Sequence, residues 1–107
     1  MAFAIEVAQS AEEEMTVLPV FEHRRIVDAI EQQLASEPER PTRNRKCLGD
    51  GMTADFEYVP PLWQLRVGDH RVFYQVNAPA ASVVVLAVRK KPPEKTTAEV
   101  LNEKSKP

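Results

Sequence analysis

Leu62 to Val76 (Leu-Trp-Gln-Leu-Arg-Val-Gly-Asp-His-Arg-Val-Phe-Tyr-Gln-Val) leaves this chain the fewest choices of fold. Two alternating runs flank Gly68-Asp69, the pattern of a β-hairpin closed by a two-residue turn. That turn fixes the register: Val67 faces His70, Arg66 faces Arg71, Leu65 faces Val72 and Trp63 faces Tyr74. Side chains alternate along a strand. One face therefore carries Trp63, Leu65, Val67, Val72, Tyr74 and Val76, and the other carries Gln64, Arg66, Arg71 and Phe73. Two arginines set directly across from each other repel. Solvent relieves that repulsion on an ordinary exposed face; an anion relieves it on a phosphate or carboxylate site. The pattern alone permits both.

At 107 residues the chain is long enough for one domain with its own core. Cys47 is the only cysteine, which rules out an internal disulfide and a thiolate metal cluster and fits a reducing, cytoplasmic setting. His23 and His70 are the only histidines and are far apart in sequence, so no metal site is expected. No apolar run approaches the roughly 20 residues of a membrane span, and no secretory signal is visible. The net charge of −2 hides an asymmetry. Residues 1–39 carry nine acids against Arg24 and Arg25, a net of −7, whereas residues 40–107 carry twelve Lys/Arg against seven Asp/Glu, a net of +5. An acidic and a basic side follow, the second suited to an anionic partner. A solvated helical pair accounts for the acidic half equally well.

Ala2 to Ala8 alternates around Phe3, Ile5 and Val7, predicting a first strand. Ser10 with Glu13 predicts a capping box for a short helix through Leu18. Pro19 suits the start of a second helix. Val20, Val27, Ile30 and Leu34 give that helix a buried stripe, with Ile26 beside it, and Pro38 and Pro41 end it. Pro41 to Gly51 reads as a basic loop. Thr53 to Val59 alternates through Ala54, Phe56 and Tyr58, and because Pro60-Pro61 interrupts it the segment is expected either as an extra strand at a sheet edge or as an irregular excursion. Val83 to Val88 is nearly all apolar and β-branched, as a strand covered on both faces requires. Thr96 with Glu99 predicts a short C-terminal helix through Leu101. The predicted fold is α+β: two N-terminal helices on a mainly antiparallel four-stranded sheet, order β-α-α-β-β-β, in one domain over residues 1–101 with a frayed tail at 102–107.

This order, with Leu65-Arg66-Val67-Gly68-Asp69-His70-Arg71-Val72-Phe73-Tyr74 and Val84-Val85-Leu86-Ala87-Val88-Arg89-Lys90-Lys91, resembles the RelE/ParE superfamily of toxin–antitoxin toxins over about residues 2–91. The resemblance implies a RelE-like, microbial-ribonuclease-like fold and a small toxin neutralised by a cognate antitoxin in a hetero-oligomer. RelE-branch toxins cleave mRNA in the ribosomal A site, the activity expected here; the alternatives are a gyrase inhibitor, as in the ParE branch, and a degenerate toxin kept as a non-enzymatic partner-binding module. By the resemblance, Arg71 takes the place of a phosphate-binding arginine, and Lys91 with Lys90 the region of a second functional cation. Those three are the catalytic candidates. Gln64 and Leu62 stand where the RelE branch carries lysines, and Pro92-Pro93-Glu94-Lys95-Thr96-Thr97 lacks the tyrosine that often closes the family's site.

Cleavage through a ribose 2′-OH needs a proton acceptor, cations for the charge developing on phosphorus, and an acid for the leaving oxygen. Arg71, Arg66, Lys90 and Lys91 can supply the cations with no cofactor or metal, arginine gripping phosphate through its planar fork. The acceptor is not evident: His70 and Tyr74 are assigned to the apolar face, and Lys95 or Glu94 would serve only if its loop folds back. Arg66, Arg89, Arg43, Arg45 and Lys46 are candidate RNA-phosphate contacts. Phe73 shares the face of Arg71 and is a candidate for base stacking or antitoxin contact. Trp63 reads as core, and Cys47 as a small buried hydrophobe.

Overall fold

The computed structural model describes residues 2–49 and 51–104. Its centre is the hairpin: β3 (Leu62–Val67) and β4 (His70–Asn77) pair antiparallel with Trp63 opposite Tyr74, Leu65 opposite Val72 and Arg66 opposite Arg71, the register expected from the sequence. β5 (Ser82–Lys90) pairs antiparallel with the outer side of β4, and β1 (Ala4–Val7) lies parallel to β5. β2 (Arg45–Gly49) completes the other edge, giving a five-stranded sheet of order β1-β5-β4-β3-β2. A register shift between Phe73 and Tyr74 leaves Leu86 without a partner in the ladder. Such a bulge re-aims side chains, and Leu86 joins the core on the Phe73 side.

The architecture is the expected α+β arrangement, with the extra strand in a different place. Of the two readings of Thr53 to Val59 the irregular excursion holds, and the extra strand is β2, inside the segment read as a basic loop. Alternation places Met52, Ala54, Phe56 and Tyr58 against the sheet whether or not the backbone joins a ladder. Here the Asp55 N–H donates to the carbonyl of Leu101 at 2.9 Å, so this segment bonds to the end of the last helix. β2 lacks strong β-formers; pairing with the open edge of β3 decides its conformation.

α1 (Gln9–Thr16) and α2 (Val20–Leu34) cover one face. Ile26, Ile30 and Leu34 of α2 and Ala11 and Met15 of α1 pack on Trp63, Leu65, Val67, Val72, Tyr74, Val83 and Val85. Val20, expected in the stripe, is exposed beside Val17 and Phe21 where the chain reverses between the helices. The Ser10 capping box does not form: the N-cap is Ala8, and the Ser10 hydroxyl donates to the Leu86 carbonyl at 3.4 Å. α1 is held instead along β5 beyond the reach of β1. There the Ala8 N–H donates to Val85 and Glu14 accepts from the Val88 N–H at 3.1 Å.

The opposite face is covered too. α3 (Thr97–Leu101), with the predicted Thr96–Glu99 capping box, brings Val100 and Leu101 onto Leu62, Phe73, Leu86 and Ala87. Each such fully buried aliphatic side chain is worth roughly 1.5–3 kcal/mol. Residues 102–104, expected to fray, are tied down. The Asn102 amide donates to the Thr53 carbonyl at 2.8 Å, and the Lys104 N–H donates to Asp55 at 2.8 Å. Residues 105–107 of the expected tail lie outside the described residues.

Tyr74 fastens the sheet to the chain that follows α2: its buried hydroxyl donates to the Pro38 carbonyl at 2.8 Å. Tyr74→Phe strands a buried acceptor, and a loss of about 1–2 kcal/mol is expected. In urea unfolding the midpoint falls while the slope stays constant.

Candidate nucleic-acid interface

With both sheet faces covered over most of their length, the uncovered part is the hairpin end. Gly68 sits at φ +59. Among the described residues Asp69 is not one with positive φ, so the two-residue turn is of the II′ type, which places glycine first. Across β3 and β4, Arg66 and Arg71 stand opposite each other on the face away from α1 and α2, at the end that α3 leaves open. Arg71 is partly buried, and its Nη1 donates to the carbonyls of Gly68 at 3.0 Å and His70 at 2.9 Å, which turns the guanidinium toward the tip. Burial, and then the charge of Arg66, push its pKa below the ordinary arginine value, with Asp69 pulling the other way. An arginine stays charged under such a shift. The repulsion inferred from the register is therefore present, and among the described residues neither arginine is in an ion pair.

Lys91 reaches the same place. Its N–H donates to the Asp69 carbonyl at 2.7 Å, continuing the ladder one step past β5, and alternation puts it on the Arg71 side. Lys46 is exposed on β2 and shares the face of its partner Gln64. Arg43 is exposed in the loop before β2, where the Asn44 carbonyl accepts the Arg66 N–H at 2.7 Å. Lys90 is exposed but is the partner of His70, so it lies on the helical side and is not brought together with Arg71 and Lys91.

Three expected contacts are structural instead. Arg89 is only 5% exposed. Its Nε meets Glu14 at 2.7 Å, its Nη2 meets Asp55 at 2.7 Å, and its Nη1 donates to the carbonyls of Val100 and Leu101. The guanidinium also lies 5.4 Å from the centre of the Phe56 ring. Burial opposes its charge, but the bonds to Asp55 and Glu14 more than reverse this and raise its pKa. Burial likewise pushes Asp55 up, yet the Arg89 bond, the Lys104 N–H and both positive charges bring it below its usual value. Arg45 is 8% exposed; it donates to the Gln33 carbonyl at 2.5 Å, capping the last turn of α2, and to the carbonyls of Ser36 at 3.3 Å and Glu37 at 3.0 Å just beyond it. Phe73 is fully buried against Phe56, Leu62 and Leu101, so it has no face to offer a base or an antitoxin.

The acid–base candidates fall away from the site. His70 is 7% exposed on the helical side, its Nε2 4.0 Å from Glu22. Tyr74 is buried, and burial pushes its hydroxyl well above the ordinary phenol range. Lys95 is engaged with Glu103 at 3.9 Å, and Glu94 is exposed. Trp63 is core, stacked on Tyr74. Cys47, expected to be buried, is exposed because β2 is an edge strand. Reading the sequence missed one basic residue at the hairpin tip, Arg25 of α2, whose guanidinium rests on Gly68. The glycine opening the turn was its only signal.

This sheet, with its helical pair and cationic hairpin end, has the fold of RelE toxins. The toxin–antitoxin complex RelBE2 from Mycobacterium tuberculosis matches with a TM-score of 0.68 at 20% identity, covering 85% of this chain and 93% of that one. The archaeal RelE–RelB complex from Pyrococcus horikoshii OT3 matches with 0.62 at 22% identity, covering 87% and 99%. The isolated E. coli RelE toxin matches with 0.62 at 18% identity, covering 92% and 94%. At these identities the likeness is one of fold. No functionally curated sequence matches the chain. Residues 5–91 match the family described as ParE toxin of type II toxin-antitoxin system, parDE, and the chain belongs to that family.

Proposed function

We propose that this toxin grips ribosome-bound mRNA with Arg66, Arg71, Lys91 and Lys46 and cleaves it slowly, with cationic side chains rather than a metal carrying the developing charge. The observation behind this reading is the Arg66–Arg71 pair, in register and without a carboxylate partner among the described residues. A phosphate between two such guanidinium groups removes their repulsion and receives charge-assisted bonds from both. In the transition state the same groups hold the charge growing on phosphorus. Cleavage is slow in this reading because His70 and Tyr74, the side chains suited to accept the 2′-OH proton, are turned into the helical core, so that solvent water takes that proton. Lys91 and Lys46 remain as proton donors on the working face.

The partner is a cognate antitoxin that lays acidic side chains across Arg66, Arg71 and Lys91. Two of the matching folds, from M. tuberculosis and P. horikoshii, come from toxin–antitoxin complexes, which supports this pairing. The burial of His70 and Tyr74 favours a second reading, in which the cationic tip blocks DNA gyrase by binding and cuts nothing.

Induced expression followed by mapping of mRNA ends in ribosomal fractions separates the two. The expected result is new mRNA ends that accumulate slowly and are absent with Arg71→Ala. Intact mRNA, together with gyrase-dependent DNA breaks, establishes the second reading instead.

A further inference from the structure

Gly68 carries a guanidinium on each side. A Cβ placed on this glycine would lie 2.9 Å from Arg25 Nη1 and 3.1 Å from both Cζ and Nη2. Three atoms of the group at nearly equal distance mean that its plane lies flat on the turn, which a glycine surface permits and a larger residue obstructs. Arg25 approaches from α2, on the helical side. From the other side, Arg71 Nη1 bonds the Gly68 carbonyl at 3.0 Å. Packing alone accounts for an arginine resting on a glycine, since long basic side chains cover apolar surface with their stems.

Three observations go beyond packing. Arg25 is exposed, so the outer plane and edges of its guanidinium meet solvent. It makes no ion pair among the described residues, although Glu22 lies on the same helix. It is also one of only two Lys/Arg residues in the first 39, and the fold sets it at the cationic tip rather than among the acids. Lys90, exposed on the helical side, adds a second charge there.

We infer that a phosphodiester backbone bends round the tip of the β3–β4 hairpin, held by Arg66 and Arg71 on one side and by Arg25 with Lys90 on the other. The inference rests on the reading of the Arg66–Arg71 face as a phosphate site. It adds Arg25 as a binding residue and gives the anion a path across the turn. Each phosphate contact contributes to the salt dependence of binding, about 0.7 in the slope of log K against log salt for single strands and 0.9 for duplex DNA.

The test is fluorescence anisotropy with the full chain, a labelled single-stranded RNA and a duplex DNA of equal length, between about 50 and 200 mM KCl. Arg25→Gln is expected to lower the slope by about 0.7 on RNA, or about 0.9 if duplex DNA is the backbone held, and to weaken binding uniformly across sequences. Arg25→Lys, which keeps the charge, is expected to retain most of the slope, and both variants to melt with the parent. An unchanged slope in Arg25→Gln alongside a reduced slope in Arg71→Ala overturns the path round the tip. Unchanged slopes in both overturn the phosphate site itself.

Discussion

Arg89→Ala is expected to destabilise the protein by about 3–5 kcal/mol, the usual cost of removing one partner from a buried ion pair. Total stabilities of domains this size are about 5–15 kcal/mol. The melting temperature should therefore fall by at least about 12 °C, taking about 4 °C per kcal/mol. The guanidinium satisfies Glu14 on α1, Asp55 in the segment before β3 and two carbonyls at the end of α3, so its loss strands two buried acceptors and leaves two buried carboxylates with Lys104 as their only remaining cation among the described residues.

The same site sets a pH dependence. With Arg89 present, Asp55 titrates below its unfolded value. Its contribution is complete above about pH 4 and is lost as the pH falls through its folded pKa. In Arg89→Ala the buried carboxylate keeps only the Lys104 N–H and charge, burial outweighs them and its pKa rises, so that variant should gain stability from this group on acidification over about pH 4 to 6, where the same group gives the parent none. Thermal unfolding followed by circular dichroism across that range reads both effects. Parallel pH profiles for the two proteins rule out the proposed electrostatic role.

Arg71→Ala is expected to leave the melting temperature within about 2 °C of the parent while abolishing most of the toxicity. Its two bonds to turn carbonyls are lost, but so is the repulsion from Arg66 that lowers its pKa. Surface changes with such offsetting terms fall within about 0.5 kcal/mol. A charge-assisted contact to phosphate is worth about 1.5–3 kcal/mol, so target binding should weaken by about ten- to a hundredfold. Survival of cells after induction, measured beside calorimetry of the purified variant, gives the two numbers. A variant as lethal as the parent removes Arg71 from the working face; a variant that melts far lower makes it a structural residue.

The hairpin and both long helices were legible because their signals are local. A two-residue turn fixes the register of every residue around it, and Ile26, Ile30 and Leu34 repeat at helical spacing. Arg89 was misread for the opposite reason. In Arg89-Lys90-Lys91 it looks like one cation among three, and the acids that claim it lie 75 and 34 residues away in sequence. Arg45 was misread because it binds backbone carbonyls, which every residue has and no sequence pattern marks. The alternation of Thr53 to Val59 leaves an edge strand and an irregular excursion equally open in the sequence, and the second is formed because what the segment covers is assembled only when α3 arrives. Phe73 follows from the same omission: a face with a lid was taken for an open one.

The order β1-β5-β4-β3-β2 puts the last strand to be synthesised in the interior of the sheet, between the first strand and the hairpin. While β5 is still inside the ribosomal exit tunnel, β1 has nothing to pair with, neither helix has a finished surface to rest on, and Glu14 and Asp55 lack the cation that joins them. A chain without β5 therefore has a finished core on neither face of the sheet, and both cores and the ion-pair cluster between them are completed by the same strand.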